Sequence, residues 1–422
     1  MGKYNNKKRL FLVLSLLINL GILFFFKYFN FFNDSLNSLY SYFNIDWSSS
    51  RIDVLLPVGI SFYTFQALSY SIDVYRNNIE PEKHFGKYAL FVSFFPQLVA
   101  GPIEKSKDLL PQFNIKHKFD YDRIKEGLIL MLWGFFKKVV IADRLAVLVN
   151  TVYNSPENHQ GVTLVIASVF FAFQIYCDFS SYTDIAIGAA KVMGFNLRKN
   201  FDRPYFSKSI PEFWRRWHIS LGAWFKEYLY FPLGGNRKGK LRTNLNIMIV
   251  FIVSGLWHGA SWNFVIWGGL HGIYQVIETT TYGYRTKMVE RFNIDRTSVG
   301  HKFYRIMLTF MLVVFAWVFF RANTLTDSVY IFKNLFVFNF WTIFDGSIFN
   351  LGLDKNEFIV AVFSLLILLS YEIYERKNNI FKDLNSFNIA IRWSFYLAAI
   401  FGIILFGIYG DYEKSQFIYF QF

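Results

Sequence analysis

Residues 201–239 read FDRPYFSKSIPEFWRRWHISLGAWFKEYLYFPLGGNRKG, and residues 246–277 read NIMIVFIVSGLWHGASWNFVIWGGLHGIYQVI. From 243 to 277 there is no Asp, Glu, Lys or Arg, and a helix needs only about 20 apolar residues to span a membrane. His258 lies near the middle of this uncharged run. An imidazole inside a membrane is unfavourable unless it is paired or used, so the run predicts membrane helices built around His258.

The composition extends that prediction to the whole chain. The 422 residues are 54% hydrophobic and 21% aromatic, and 18% are charged, where soluble domains have about a quarter. The apolar residues come in uncharged blocks rather than in amphipathic periods. The sequence therefore predicts an all-α, multi-spanning protein of the plasma membrane. We expect one domain over 1–422, with core motifs in 50–322 and short, broken or re-entrant helices around a central pocket.

The net charge of +14 fits the same class. Lys and Arg flank the apolar blocks, as they do in loops that face anionic lipid. The sequence has no zinc-finger spacing and no basic tail, so nucleic-acid binding is not expected. The single cysteine, Cys177, excludes an intramolecular disulfide and is predicted to be a small buried apolar side chain.

Eight further uncharged runs surround the first, and we expect about nine to eleven membrane elements in all. The first of the eight is expected to be a retained helix, because no small-residue cleavage site follows it. The runs are 10–26, 54–72, 88–103, 127–136, 162–177, 306–320, 358–371 and 393–410.

Proline and glycine predict breaks in two of these runs. Pro57 and Gly59 predict a kink in the run 54–72. The sequence FFPQLVAGP, residues 94–102, predicts a broken or re-entrant element, which is tolerated only where protein or water covers its open backbone.

Three other segments carry their own expectations. Lys137 and Lys138 follow a short apolar run and are expected to snorkel from a tilted helix. The run 243–277 is long enough for two short helices that meet near Gly259. Residues 282–299 are polar and are expected to form a solvent-facing loop.

An amphipathic helix is predicted to begin at Ser209. Ser209 and Glu212 have the spacing of a capping box, with Pro211 in the first turn. At 100° per residue one broad arc is apolar and the other polar, which is typical of a helix that lies in the membrane interface with Trp as its anchor. The apolar arc comprises Phe213, Trp214, Trp217, Leu221, Trp224, Phe225, Tyr228 and Leu229, and the polar arc comprises Glu212, Arg215, Arg216, Lys226 and Glu227.

His218 lies inside the apolar arc, near its border. By itself it is better explained as a snorkelling or hydrogen-bonded histidine among aromatic rings. The segment 234–239, GGNRKG, is a tight basic turn. It lacks the strand and the spacing of a phosphate-binding P-loop, so we expect a solvated turn.

His258 is the stronger candidate for chemistry. It lies between Trp257 and Gly259, and apolar surroundings favour its neutral imidazole, which can act as a general base in acyl transfer. The adjacent glycines permit close approach of a ligand backbone. A core histidine bonded to a carbonyl remains the alternative. His271, later in the same run, is expected to be structural.

Other catalytic patterns are missing from the sequence. There is no G-x-S-x-G elbow, no H-E-x-x-H and no Cys/His cluster, so no catalytic metal is expected. Asp178 and Asp184 bracket FSSYT at the predicted end of a span. They are candidates to bond a catalytic group or a sugar, or else to satisfy backbone groups at a helix end.

Taken together these segments resemble the membrane-bound O-acyltransferases, in particular their alginate O-acetyltransferase branch. The WRRWHIS and GLWHG segments are the most specific to that branch. The matching pieces are LPVGISFYTFQALSYSIDVYR (56–76), FFPQLVAGPIE (94–104), YCDFSSYTDIAIGAAKVMGF (176–195), RPYFSKSIPEFWRRWHISLGAWFKEYLYFPLGGNRKG (203–239), GLWHGASWNFVIWGGLHG (255–272) and FFRA (319–322).

The resemblance implies that His258 is the active-site histidine and His218 the second histidine of the site. It implies an acyl donor that enters from the cytosolic side, with acetyl-CoA as the expected donor and no bound cofactor. Around the two histidines we assign substrate binding to Arg215, Arg216, Trp217, Lys226, Trp257 and Asp178. Family members carry further apolar segments before the stretch that resembles KYFNFF here, so one or two helices are expected to be missing ahead of it.

The predicted function is transfer of acetyl across the membrane to an exported polysaccharide or to an extracytoplasmic relay protein, in contact with membrane lipid. D-alanyl transfer to teichoic acid is the alternative within the family. A transporter, with His258 and FFPQLVAGP lining a path, and a scaffold without chemistry are the alternatives outside it.

Overall fold

The structure is a computed structural model that describes residues 7–378, 380–410 and 417–418. Within these ranges all regular elements are helical, which confirms the predicted all-α class. The first nine α-helices are α1 (Lys8–Leu23), α2 (Phe29–Tyr42), α3 (Ile60–Tyr75), α4 (Phe85–Val92), α5 (Ser106–Leu109), α6 (Tyr121–Phe135), α7 (Asp143–Tyr153), α8 (Val162–Met193) and α9 (Ile210–Arg216). The next nine are α10 (Ile219–Phe225), α11 (Gly239–His258), α12 (Trp262–Thr280), α13 (Tyr282–Arg291), α14 (Val299–Arg321), α15 (Leu325–Asn334), α16 (Lys355–Glu375), α17 (Ile380–Ser386) and α18 (Ile389–Phe406).

Three π-helical turns extend these helices. Phe24–Tyr28 joins α1 to α2, Phe136–Ala142 joins α6 to α7, and Lys226–Tyr230 follows α10. A π-turn adds one residue to the helical repeat and so shifts the side chains on either side of it, and such turns are frequent at functional sites.

Five helices of the described chain are long and apolar enough to cross a membrane. They are the continuous helix Lys8–Tyr42 and the helices α8, α14, α16 and α18. The other membrane elements expected from the sequence are shorter or more polar by this measure, α11 and α12 among them.

The apolar helices differ in what covers them. Of the 18 most apolar consecutive residues in each helix, 78% are buried in α8, against 6% in Lys8–Tyr42 and 0% in α18. Helix α8 is therefore the centre of the fold, and α1 and α18 present their apolar side chains outward, as lipid-facing helices do. The first helix packs on α3, where Ser15 Oγ and Ser71 Oγ are 2.9 Å apart.

Helix α8 packs against α6, α7 and the π-turn Phe136–Ala142. Its contact with α6 is close because Gly127 and Gly188 face each other, so that a Cβ on either would meet the other's backbone oxygen. The prediction that Lys137 and Lys138 snorkel is wrong. Lys137 Nζ lies 2.7 Å from Asp184 Oδ2, and Lys138 Nζ lies 2.7 Å from Asp178 Oδ1, so both turn into the fold and pair with α8.

Helices α11 and α12 form the predicted pair, and they meet at residues 259–261. Their interface is built on Gly255 and Gly268, because a Cβ on Gly255 would meet the Phe264 carbonyl and a Cβ on Gly268 would meet the Phe251 carbonyl. A Cβ on Gly259 would meet the Phe264 ring. The glycines near His258 thus serve the packing of α11 against α12.

The region 54–105 departs from its prediction in one respect. Helix α3 begins at Ile60, directly after Gly59, whose φ is 76°, so Pro57 and Gly59 precede the helix instead of kinking it. The FFPQLVAGP element is broken as predicted, since α4 ends at Val92 and the next helix begins at Ser106.

The predicted amphipathic helix begins where expected, and the Ser209 side chain accepts the Glu212 N–H. It is not continuous, however, because α9 ends at Arg216 and α10 begins at Ile219. Trp217 is 1% exposed and Trp224 9% exposed, so they pack inside the protein and do not anchor a helix among lipid headgroups. The expected solvent loop 282–299 contains a helix, α13, with no buried residue.

Candidate functional site

His218 and His258 form a buried pair. Their ring centroids are 6.2 Å apart with the ring planes at 63°. His258 is the last residue of α11 and is 3% exposed, and His218 lies between α9 and α10 and is fully buried. The structure therefore brings together the two residues predicted to be catalytic, which are 40 positions apart in the sequence.

His218 owes its position to a left-handed backbone. Its φ and ψ are 45° and 54°, a conformation that is uncommon for residues other than glycine and that ends α9 and restarts the chain as α10. Backbone bonds to the preceding loop hold this break: Asp202 N–H donates to the Arg216 carbonyl at 2.9 Å, and Ile219 N–H donates to the Asn200 carbonyl at 2.9 Å. Strained backbone of this kind persists where its surroundings determine it, as at active sites.

Asn200 also determines which nitrogen of the neutral His218 ring carries the hydrogen. Asn200 Oδ1 accepts from Ser220 N–H at 3.1 Å and from Ser220 Oγ at 2.9 Å, and it lies 3.2 Å from His218 Nδ1. A backbone N–H can only donate, so the atom that it meets is the amide oxygen, and His218 Nδ1 must be the donor to it. The lone pair of the neutral ring is then on Nε2, which has no hydrogen-bond partner among the described residues.

Aromatic rings enclose both imidazoles. His218 lies 4.7 Å from the Phe179 ring centroid and 5.9 Å from that of Trp257, and the Phe62 ring stacks on it at 6.4 Å. The ring of His258 lies 4.9 Å from Trp257, 5.1 Å from Trp267 and 5.4 Å from Phe320. Such a wall excludes water and strengthens every electrostatic interaction within it.

A cavity of about 210 Å³ opens beside the pair. Pockets for drug-sized ligands have about 300–1,000 Å³, so this volume suits the reacting end of a substrate rather than a whole cofactor. Phe62 both lines the cavity and stacks on His218, and so joins the cavity to the second histidine. In the described part of the chain none of the residues that line the cavity is acidic. They are Lys27, Leu56, Pro57, Val58, Gly59, Ile60, Ser61, Phe62, Val99, Trp257 and His258.

The sequence-predicted binding residues divide into two groups. Trp257 lies on the cavity wall, and Trp217 packs against Phe201 and Trp317 at 5.1 and 5.0 Å behind His218. The three basic residues are not among those that line the cavity: Arg215 is exposed, Arg216 pairs with Glu212 at 2.7 Å, and Lys226 is exposed with its Nζ 5.7 Å from the Phe231 ring.

Asp178 is buried in the interior of α8, not at the end of a span as expected. Its Oδ1 accepts from Lys138 Nζ at 2.7 Å, and its Oδ2 accepts from Ile418 N–H at 2.7 Å. Both oxygens therefore have protein partners that join three parts of the chain.

His271 is buried behind the pair, with the Trp267 ring between it and His258. Its Nδ1 accepts from Trp214 Nε1 at 3.3 Å, a bond between α12 and α9. Cys177 is buried and not in a disulfide, as predicted.

Two residues of the site were not found from the sequence. Asn200 carries no motif of its own, and its role depends on a turn that folds back onto Ser220. Lys27 follows the first apolar run, and the only signal for it is a lysine between aromatic residues inside a long membrane helix, which is unusual in itself.

Comparisons with known proteins agree with the resemblance in the sequence. The family model described as MBOAT, membrane-bound O-acyltransferase family, matches residues 82–320, which include both histidines. The probable alginate O-acetylase AlgI of Pseudomonas putida is 40% identical over 355 residues, which are 84% of this chain and 70% of that protein.

Two relatives whose names state other acceptors are also similar to this chain. The peptidoglycan O-acetyltransferase of Helicobacter pylori is 36% identical over 392 residues, covering 86% of this chain and 71% of that protein. The teichoic acid D-alanyltransferase of Bacillus subtilis is 25% identical over 277 residues, covering 63% of this chain and 69% of that protein.

Proposed function

The chain belongs to the membrane-bound O-acyltransferase family, and from this membership and its histidine pair we propose that it transfers acetyl from acetyl-CoA to a hydroxyl of an exported polysaccharide. A hydroxyl of an extracytoplasmic relay protein is the second acceptor that fits the same chemistry. The coarser assignment, a membrane-bound O-acyltransferase, follows from the family alone.

The observation that carries the proposal is the buried pair of His218 and His258 beside the cavity. In the proposed step, the acceptor oxygen attacks the acetyl carbonyl carbon while His258 takes the hydroxyl proton. The carbon–sulfur bond then breaks, and the imidazolium returns the proton to the leaving thiolate, so that coenzyme A departs as the thiol. Because its lone pair is on Nε2, His218 can accept a hydrogen bond from a neighbouring hydroxyl of the sugar and so hold the acceptor.

The cavity supports acetyl over D-alanyl as the transferred group. A D-alanyl ester carries an ammonium group, which a carboxylate would have to balance in so enclosed a space. Among the described residues that line the cavity, Lys27 is the only lysine, arginine or carboxylate, and its like charge would repel that ammonium. The higher identity to the alginate and peptidoglycan O-acetylating relatives supports the same choice.

The acceptor is proposed from the same relatives, whose names state alginate and peptidoglycan. Both polymers present ring hydroxyls outside the cytoplasm, so the acyl donor and the acceptor would reach the pair from opposite faces of the plasma membrane. This arrangement explains why the two histidines lie deep in the fold rather than in a surface loop.

The test measures transfer of radiolabelled acetyl from acetyl-CoA, by purified protein in lipid vesicles, to alginate and to peptidoglycan fragments. His258→Ala should lower the rate by about 10² to 10⁴, the usual contribution of a general base. His218→Ala should be severe as well, and the double variant should be little worse than the worse single variant, because residues that act as a unit are not additive.

The matched control is His84→Asn, which replaces an exposed histidine and keeps an acceptor at the start of α4. It should transfer acetyl at the wild-type rate. Wild-type transfer by His258→Ala, at equal amounts of protein, would contradict the proposal and favour a transporter or scaffold. Transfer from a D-alanyl thioester, but not from acetyl-CoA, would indicate the D-alanyl-transferring branch of the family instead.

A further inference from the structure

Lys27 bonds directly to the end of the helix that carries His258. Its Nζ lies 2.7 Å from the Trp257 carbonyl, 3.2 Å from the His258 carbonyl and 3.3 Å from Ser61 Oγ. An ammonium group has three hydrogens, so these partners use all of them. Lys27 also lines the cavity.

These bonds satisfy groups that the helix cannot satisfy. The last carbonyls of an α-helix have no N–H within the helix, and a positive charge at this end is favourable. Helix α11 ends at His258, and Gly259 leaves it with an extended backbone. The Lys27 ammonium therefore takes the place of a helical cap and fixes the backbone from which the His258 ring projects.

The π-turn Phe24–Tyr28 explains how a membrane helix reaches this position. The helix is continuous from Lys8 to Tyr42, and the π-turn places two consecutive residues against α11. Tyr28 Oη donates to the Leu256 carbonyl at 2.9 Å, next to the two carbonyls that Lys27 bonds. A lysine in a membrane helix is unfavourable without a partner, and among the ion pairs of the described residues none includes Lys27. Its partners are the two carbonyls at the end of α11 and Ser61 Oγ.

We propose that Lys27 is a positioning residue for the reaction at His258, holding the end of α11 so that the imidazole keeps its place on the cavity wall. The proposal rests on the function proposed above. It assigns a role to the first membrane helix, which lies outside residues 82–320. A purely structural anchor would affect stability, whereas a positioning residue affects the chemical step after substrate has bound.

The test compares Lys27→Met, which keeps the length of the side chain and removes the donors, with Lys27→Arg, which keeps charge and donors. Lys27→Met should lower kcat about 10²-fold, the usual effect of misplacing a reacting group by about 1 Å, with KM for acetyl-CoA little changed. Lys27→Arg should recover part of that loss. Tyr28→Phe removes a bond outside the cavity wall and should lower kcat less than Lys27→Met does.

The matched control is Lys8→Met. Lys8 is a lysine of the same continuous helix, and its Nζ bonds Asn77 Oδ1 at 2.9 Å on the exposed surface. It should leave kcat unchanged. If Lys27→Met is not recovered as a folded protein, Lys27→Gln replaces it. Its amide is shorter and uncharged and can replace only part of the three bonds of the ammonium, so kcat should still fall, by less than about 10²-fold, and labelling of His258 should still rise.

A second measurement does not depend on acetyl transfer. Diethyl pyrocarbonate modifies neutral imidazole, and mass spectrometry gives the rate at His258. The rate should rise severalfold in Lys27→Met, because the end of α11 is released, and should be unchanged in Lys8→Met.

The two measurements separate the proposals. If the wild-type protein transfers no acetyl group, the proposed function fails, and the labelling rate alone then decides on Lys27. A Lys27→Met protein with wild-type kcat and wild-type labelling overturns the positioning role. A loss of kcat with unchanged labelling overturns it too, because Lys27 would then act otherwise than by holding His258.

Discussion

Asn200 Oδ1 lies 3.2 Å from His218 Nδ1, and the same oxygen accepts both polar hydrogens of Ser220. Ser220 is in turn held by a third segment, since Ile103 N–H donates to Ser220 Oγ at 3.0 Å. Ile103, the residue after the broken element 94–102, is thus connected to the His218 ring through the side chains of Ser220 and Asn200. The irregular backbone there is therefore part of the hydrogen-bond chain that holds the His218 ring.

Asn200→Ala should therefore reduce acetyl transfer severely, because the His218 ring loses the acceptor that fixes its tautomer. We expect a loss of about 10²-fold or more in kcat, within the range of general acid–base effects. Asn200→Asp keeps an acceptor oxygen and should retain more activity. Asn196→Ala, at an exposed position of the same loop, is the control and should match the wild type in the vesicle assay.

Asp178→Asn tests whether that carboxylate binds substrate or holds the fold. The change removes one of two carboxylates that pair with Lys138, which keeps Asp143 at 2.8 Å. We therefore expect a loss of stability smaller than the about 3–5 kcal/mol that follows when a buried charge is left with no partner. The variant should thus unfold at a lower temperature in detergent, while KM for acetyl-CoA in the remaining folded protein is unchanged.

The control for Asp178 is the exposed pair of Asp122 and Lys125, 2.9 Å apart, where the carboxylate is 76% exposed. Asp122→Asn should change stability by no more than about 1 kcal/mol. A raised KM in Asp178→Asn with a wild-type unfolding temperature would restore the role in substrate binding that the sequence suggested.

Gly268 and Gly269 are neighbours in α12 that should respond oppositely to alanine. A Cβ on Gly268 would meet the Phe251 carbonyl of α11, whereas a Cβ on Gly269 has nothing within 4 Å. Gly268→Ala should push α11 and α12 apart and lower both stability and activity. Gly269→Ala should be neutral or stabilising by up to about 1 kcal/mol, the difference in helix propensity. Equal unfolding temperatures for the two variants would contradict this account of the helix pair.

Glu104 should make stability depend on pH. It lies between α4 and α5, outside the apolar spans, and its Oε1 accepts the Arg198 N–H at 2.6 Å. Burial raises its pKa from 4.5 to about 7, against the opposing effect of the Arg198 N–H. The folded state then binds more protons than the unfolded state between these two values, so the contribution of this group to stability falls as pH rises from about 4.5 through 7.

Glu104→Gln should remove that part of the pH dependence, since the amide cannot ionise. Unfolding temperatures of the wild type and the variant, measured from pH 5 to 8, give the result directly. Parallel curves for the two proteins would show that Glu104 ionises in the fold as easily as in water.

The class of fold could be predicted from the sequence, because an uncharged run of 35 residues is long enough for membrane helices. His258 is singled out by its place in the middle of that run, whereas His218 is assigned to the site only through the resemblance to the family. The break in the helix at His218 could not be predicted from the sequence. Residues 212–221 contain no proline or glycine, so helical periodicity continues through the break, and the bonds to Asn200 and to residue 202 that hold it come from a separate loop.

The role of Lys27 could not be predicted from the sequence either, because its contacts are with residues far away in the chain. Its partners Trp257 and His258 are 230 and 231 residues away, and no local pattern reports a contact of that kind. Lys137 and Lys138 were predicted to turn toward the membrane surface because a lysine near a helix end usually does so. The structure differs because α8 continues past Cys177, which places Asp178 and Asp184 within 2.7 Å of the two lysine Nζ atoms.

The pairing of α8 with the preceding π-turn has a consequence for how the protein is made. Helix α8 is apolar enough to enter lipid, yet it carries two aspartates that lipid cannot solvate. Their partners, Lys137 and Lys138, leave the ribosome first. Each segment is unfavourable in the bilayer alone, so we expect α6, α7 and α8 to leave the translocation machinery as one unit, with Lys137 and Lys138 already paired with Asp184 and Asp178. The ion pairs would then set the order of insertion. Helix α8, the most buried of the apolar helices, would enter the bilayer only together with α6 and α7.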